Sequence, residues 1–158
     1  MGQFADGVIS RLRRQLALEC PTYTWETEYP IAETPVDVVG IGDQYILIEL
    51  EWRRADPADN AAKIFRHLST SEIEAEEIII IQLFTNYYDL VSGGVSSKQK
   101  NAEFVGEAAA DSLDKVIYHP LEFDIDPPKS GKERPTEWEK KADSMVETVI
   151  SIVEERNY

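Results

Sequence analysis

The sequence predicts an α/β fold, a mixed β-sheet flanked by helices, with elements in the order α-β-β-β-α-β-α-β-α. Three observations predict it. Two β-rich runs, Pro35–Ile41 and Gln44–Trp52, flank a Gly42-Asp43 turn and read as an antiparallel hairpin. Four consecutive isoleucines, Ile78–Ile81, read as a strand buried on both faces, inside the sheet. An amphipathic segment between Trp52 and that strand serves as a crossover, which makes those two strands parallel.

Each element carries its own signal. Residues 3–19 place Phe4, Val8, Ile9, Leu12 and Leu16 at helical spacing, with Arg11, Arg13 and Arg14 on the wet side, and Pro21 ends the helix. Thr22–Ile31 alternates and is rich in Thr, Tyr and Trp, so it reads as a strand ahead of the hairpin. Asp56 suits a helix N-cap and Pro57 the first helical position; the helix runs to about Leu68 with Ala61, Ile64, Phe65 and Leu68 on its dry face. An acidic link at 71–77 leads into the isoleucine strand. After a Ser/Gly loop at 92–97, residues 98–115 read as a helix with Phe104, Val105, Ala108, Ala109 and Leu113 inward, and Lys115–Phe123 as the last strand. Residues 1–125 thus form one domain. The Pro-broken stretch 126–135 reads as a linker. Thr136 and Glu139 form a capping box opening a C-terminal helix over 136–158, packed on the domain or on a dimer partner.

Length and composition bound the function. A chain of 158 residues fits one domain and buries roughly 68–70% of its unfolded surface. A hydrophobic fraction of 42% with 15 aromatics (3 Trp, 7 Tyr, 5 Phe) excludes a wholly disordered chain. Against 30 Asp and Glu stand 16 Lys and Arg, a net charge of −14, which excludes a smooth basic nucleic-acid binder. Phosphate contact needs a local patch or a metal. Cys20 is the single cysteine, so no internal disulfide forms, and a buried thiol in a reducing cytoplasm is expected. No apolar run approaches 18 residues and no signal-peptide pattern opens the sequence, so a cytoplasmic protein without membrane contact is expected.

One constellation carries chemistry. Glu49 and Glu51 sit two apart near the end of the third strand and so project to one face, and the hairpin brings Asp37 toward them. Three converging carboxylates repel one another, and burial raises their pKa. A hard divalent cation removes that cost, and its bound water is a better nucleophile. A solvated strand end, with the acids paired to Arg53 or Arg54, is the competing explanation.

The string Thr34–Arg54, with Pro35-Val36-Asp37 and Glu49-Leu50-Glu51, followed by the helix from Asp56, resembles the PD-(D/E)xK nuclease superfamily, the restriction-endonuclease-like fold. The resemblance covers the αβββαβ order over roughly residues 3–85. Two departures stand out: one residue is inserted between Pro and Asp, and Glu51 replaces the motif lysine. The resemblance implies metal-dependent phosphodiester hydrolysis on DNA. Asp37 and Glu49 would hold Mg²⁺ or Mn²⁺, and Glu51, or a migrated Lys63 on the following helix, would orient or deprotonate the attacking water. Asn60, Lys63 and His67 fall on one helical stripe. With Arg53, Arg54 and Arg66, Asn60 and His67 are candidates for substrate contact. Over residues 51–67 four cations face three acids, a local balance of +1 that escapes the acidic excess. Lys129, Lys132 and Arg134 form a further cluster able to clamp a phosphate backbone, and Arg11, Arg13 and Arg14 another. Tyr87 and Tyr88 are candidates for base stacking, and Glu19 for a further acid of the site. A homodimer would supply two sites. A second class of function stays open: a catalytically decayed acidic binding or inhibitor protein of the same fold that covers a basic partner.

Overall fold

The computed structural model describes residues 2–70, 73–129 and 131–156. The expected acidic link, linker and last helix therefore reach, at 71, 72, 130, 157 and 158, outside the described residues. Helix α1 (Gln3–Glu19) leads to three strands, β1 (Thr24–Ile31), β2 (Thr34–Ile41) and β3 (Gln44–Glu51). Helix α2 (Pro57–Ser69) crosses to β4 (Glu77–Thr85), a short 3-10 turn follows at Asn86–Tyr88, and α3 (Ser97–Ser112) crosses to β5 (Val116–Phe123). Helix α4 (Trp138–Arg156) closes the chain. The strands lie in the order β1-β2-β3-β4-β5, with β1–β2 and β2–β3 antiparallel and β3–β4 and β4–β5 parallel. This is the mixed sheet the sequence predicts, with the isoleucine strand interior.

Helices cover both faces because the strands in the middle are apolar on both. Val38, Ile46, Ile48, Leu50, Ile79, Ile81 and Leu83 meet Val8, Leu12 and Leu16 of α1 and Met145, Val146, Val149 and Val153 of α4. On the other face Val39, Leu47, Ile78 and Ile80 meet Ile64, Phe65 and Leu68 of α2. Each fully buried Leu or Ile side chain contributes about 1.5–3 kcal/mol. The α4 stripe thus packs on its own domain. Arg11 reinforces that docking with two bonds of 2.9 Å to Asp143.

Several local expectations are corrected. Strand β1 begins at Thr24, because residues 21–23 turn. Helix α3 buries Gln99, Ala102 and Gly106 and sets Ala102 and Gly106 toward β4 and β5, while Phe104 is 72% exposed and Ala108 faces solvent. Its backbone comes so close to β5 that a Cβ on Gly106 would stand 2.3 Å from Cζ of Tyr118, so the contact stripe must be made of small residues. The capping box at Thr136 does not form in the expected register. Glu137 sits in the left-handed region at φ 64°, and its carbonyl accepts the first helical bond from the Lys141 N–H, so α4 opens at Trp138. Cys20 is half-buried. Two points of the expected linker are anchored: the Pro128 carbonyl accepts from Arg53 at 3.4 Å, and Arg134 lies over the rings of Phe4 and Trp138. No described helix is long and apolar enough to cross a membrane.

Candidate functional site

The sheet opens around Asp37. The β2–β3 pairing starts at Val38–Ile48, one position short of Asp37 and Glu49. On the other side β1 and β2 pair at Thr27–Val38 and Tyr29–Val36 but skip Glu28, which stands at φ 51°. Freed from both neighbours, Asp37 turns its side chain into the gap, and its Oδ2 accepts the Leu50 N–H at 2.8 Å. The Asp37 N–H donates to Oε1 of Glu49 at 3.4 Å.

Glu49 and Glu51 point to the α2 side, as their spacing of two requires, and the first turn of α2 covers them. Pro57 begins that helix, and Asp56 caps it by accepting the Asp59 N–H at 3.1 Å. The helix therefore starts immediately beyond the two acids and sets Asn60 over them. The Asn60 Nδ2 donates to Glu49 Oε2 at 3.1 Å and to Glu51 Oε1 at 2.7 Å. Gln82 of β4, opposite Glu49 in the parallel register, donates to Glu51 Oε1 at 2.9 Å. The Tyr118 hydroxyl of β5 donates to Gln82 Oε1 at 2.5 Å and fixes which way the amide faces. Glu51 Oε2 is buried without a hydrogen-bond partner, and its nearest cation is the Arg54 Nε at 3.5 Å. Arg54 is itself held by the Tyr88 hydroxyl, which accepts the Arg54 N–H and donates to its carbonyl.

The cluster is deeply buried: Glu49 is 1% and Glu51 0% exposed. Burial is the main reason all three carboxyls are pushed up from their ordinary values, Glu49 the furthest because the Asp37 charge adds to it. The Asn60 and Gln82 amides and the Arg54 guanidinium pull the other way. Burial likewise raises the Tyr88 and Tyr118 hydroxyls, so both remain proton donors. A void of about 10 Å³ borders Glu49, Gln82 and Tyr118, room for a single water at most.

Asp37, Glu49, Glu51, Asn60 and Arg54 thus come together, and the remaining sequence candidates do not. Lys63 faces solvent and pairs with Asp59 at 3.2 Å. It does not share a stripe with Asn60, which belongs to the dry face with Pro57, Ala61 and Ile64. Arg66 is exposed, and His67 lines a separate cavity with Tyr29 and Tyr45 two turns further along α2, about 10 Å from Asn60 by helical rise. Glu19 is exposed at the end of α1, which packs on the opposite face of the sheet. Arg11 is engaged by Asp143, and Arg13 donates to the Trp25 carbonyl at 3.1 Å. Tyr88 is fully buried, which removes it from base stacking. Arg53 instead donates to the Pro128 carbonyl and lines a separate groove with Phe4 and Trp52.

A hard divalent cation suits the donor chemistry: three carboxylates, one of which, Glu51, has an orphaned buried oxygen. As arranged, however, Asn60 bridges Glu49 and Glu51. Among the described residues, no three His, Cys, Asp or Glu side chains stand ready in metal-binding geometry. No family model, curated protein or solved structure matches the chain.

Proposed function

We propose that the chain is a metal-dependent phosphodiesterase acting on DNA, with Asp37 and Glu49 as the ligands of a Mg²⁺ or Mn²⁺ ion. The observation that carries this reading is the convergence of Asp37, Glu49 and Glu51 from two adjacent strands on one buried spot. A fold has no structural need to gather three carboxylates there at such electrostatic cost. The cation, once bound, supplies a Lewis acid and a more acidic water. The chain's own residues do the rest. Glu51, with one oxygen unbonded, accepts a proton from the attacking water. Gln82, backed by Tyr118, keeps the Glu51 carboxylate oriented, and Arg54 balances its charge. Asn60 donates to the two glutamates that a cation would draw on, so its amide is the group displaced when metal binds.

The second reading, an acidic binding protein of the same architecture with a decayed site, is favoured by a specific observation: the amides of Asn60 and Gln82 already satisfy the acids, and Lys63 points away. The experiment that separates the two is calorimetric titration with Mg²⁺ and Mn²⁺, together with cleavage of plasmid and single-stranded DNA. Binding and cleavage by the wild type, both lost in Glu49→Ala, support the enzyme. A wild type that binds neither metal and cuts neither substrate leaves the acidic binding protein.

A further inference from the structure

Five arginines of this acidic chain are seated in two different ways. Arg11, Arg54 and Arg156 lie against carboxylates: Asp143, Glu51 and Glu77. Arg53 and Arg134 lie against aromatic rings instead. The Arg53 guanidinium stands 5.6 Å from the Tyr87 ring centre, and Arg134 stands 5.0 Å from that of Phe4 and 5.8 Å from that of Trp138. A ring positions a guanidinium without neutralising it. Both arginines line one groove with Lys129 and Lys132, floored by Phe4 and Trp52, with a cavity volume of about 630 Å³. Among the described residues none of the four cations pairs with a carboxylate, and Glu133, beside them in sequence, does not line the groove. The start of α1 lies in the same wall, where Gly2 offers no side-chain cap and Asp6 in the first turn offsets the positive helix end. The Arg53–Pro128 bond, between residues 75 apart in sequence, brings Lys129 beside Arg53 in one surface.

We infer that this groove is a binding site for the phosphate backbone of single-stranded nucleic acid. Four cations gathered without a paired carboxylate make a local positive patch on a chain of net charge −14, and such a patch can take up an anion. The groove has the volume of a small-ligand site, which suits a few unstacked nucleotides. A duplex carries one charge per about 1.7 Å of axis, so a chain of net charge −14 repels it more than it repels a single strand. The ring-seated arginines can exchange aromatic contact for base stacking without losing an ion pair. The site needs the groove and not the carboxylates, so it goes beyond the phosphodiesterase reading and stands independently of it.

The test is fluorescence anisotropy of a labelled oligothymidine of about twelve nucleotides, in EDTA at low salt, with a duplex of equal length in parallel. The wild type is expected to bind the single strand with micromolar affinity and a log–log salt slope of about −3, four contacts at about 0.7 each. Lys129→Glu is expected to weaken binding about tenfold. Lys115→Glu, the same charge change at the far end of the sheet, is expected to weaken it less than about twofold. Both lysines are exposed, and a thermal melt of each variant checks that it folds. No binding by the wild type, equal losses in the two variants, or a duplex bound as tightly as the single strand overturns the inference. Binding that is lost in Lys129→Glu upholds it even where Mg²⁺ gives no cleavage, the result that would sink the phosphodiesterase reading alone.

Discussion

Asn60 concentrates the electrostatic problem of the molecule in a single amide. It donates to two buried glutamates at once, so Asn60→Ala leaves both acids short of a donor. The expected loss at neutral pH is about 2–3 kcal/mol in urea unfolding. Lys63→Ala, three residues on, removes only a surface pair with Asp59 and should change stability by under about 0.5 kcal/mol. The carboxyls themselves set a pH dependence whose sign follows from burial. Asp37, Glu49 and Glu51 are all raised in the folded state relative to ordinary values of about 4. Their folded forms hold protons more tightly, so their contribution is fully present below about pH 4 and is lost as pH rises through the raised values. In metal-free buffer the wild type should therefore lose stability relative to Glu49→Gln, which carries no charge to bury, as pH rises above the ordinary carboxylate range. Parallel slopes for the two proteins would mean that Glu49 ionises without cost. These residues also show how much of the site was legible in sequence. Asp37, Glu49 and Glu51 were visible because charges two apart in an apolar strand break its pattern. Asn60 was visible too, but its role was misread. Counted from Pro57, it falls at i+3 with Ala61 and Ile64 at i+4 and i+7, the dry stripe of α2, and that periodicity places it over the acids rather than beside Lys63.

At the level of elements, the sequence reports what is strongly periodic and loses what is not. The hairpin, the crossover helix and the isoleucine strand came through because each combines a hydrophobic pattern with a turn or cap. Gln82 stayed hidden because a strand buried on both faces has no alternation to mark which residue meets β3's acids. Tyr118 and Gly106 stayed hidden because their importance lies in one close approach between α3 and β5. Phe104 misled for the same reason: a helix that must come near a sheet uses small residues, and its large apolar side chain is left outside. This packing makes a two-part prediction. Gly106→Ala drives a methyl into the Tyr118 ring and should cost about 1–3 kcal/mol. In a Tyr118→Ala background the ring is gone, and the same substitution should stabilise by about 0.5–1 kcal/mol through helix propensity. Thermal melts of the four proteins measure the sign change. A cost that persists without the ring would place the obstruction in the backbone.

The charge of the whole molecule bears on every measurement made with divalent cations. At −14, any salt screens self-repulsion and raises stability, so a rise in melting temperature on adding Mg²⁺ is not by itself a sign of a site. The specific part is obtained by difference. At matched ionic strength, MgCl₂ should stabilise the wild type beyond NaCl by RT ln(1 + [L]/Kd), about 2.7 kcal/mol at a hundredfold excess over Kd. The excess should be larger at pH 8 than at pH 5, because protons and metal compete for carboxylates that burial has raised. It should vanish in Glu49→Gln, which keeps almost the whole surface charge and so keeps the screening response. Exposed acids such as those of α4 cannot imitate this pattern, since their response to Mg²⁺ survives the substitution. If MgCl₂ and NaCl act alike on the wild type at both pH values, the three carboxylates hold no cation, and the amides of Asn60 and Gln82 are their permanent partners.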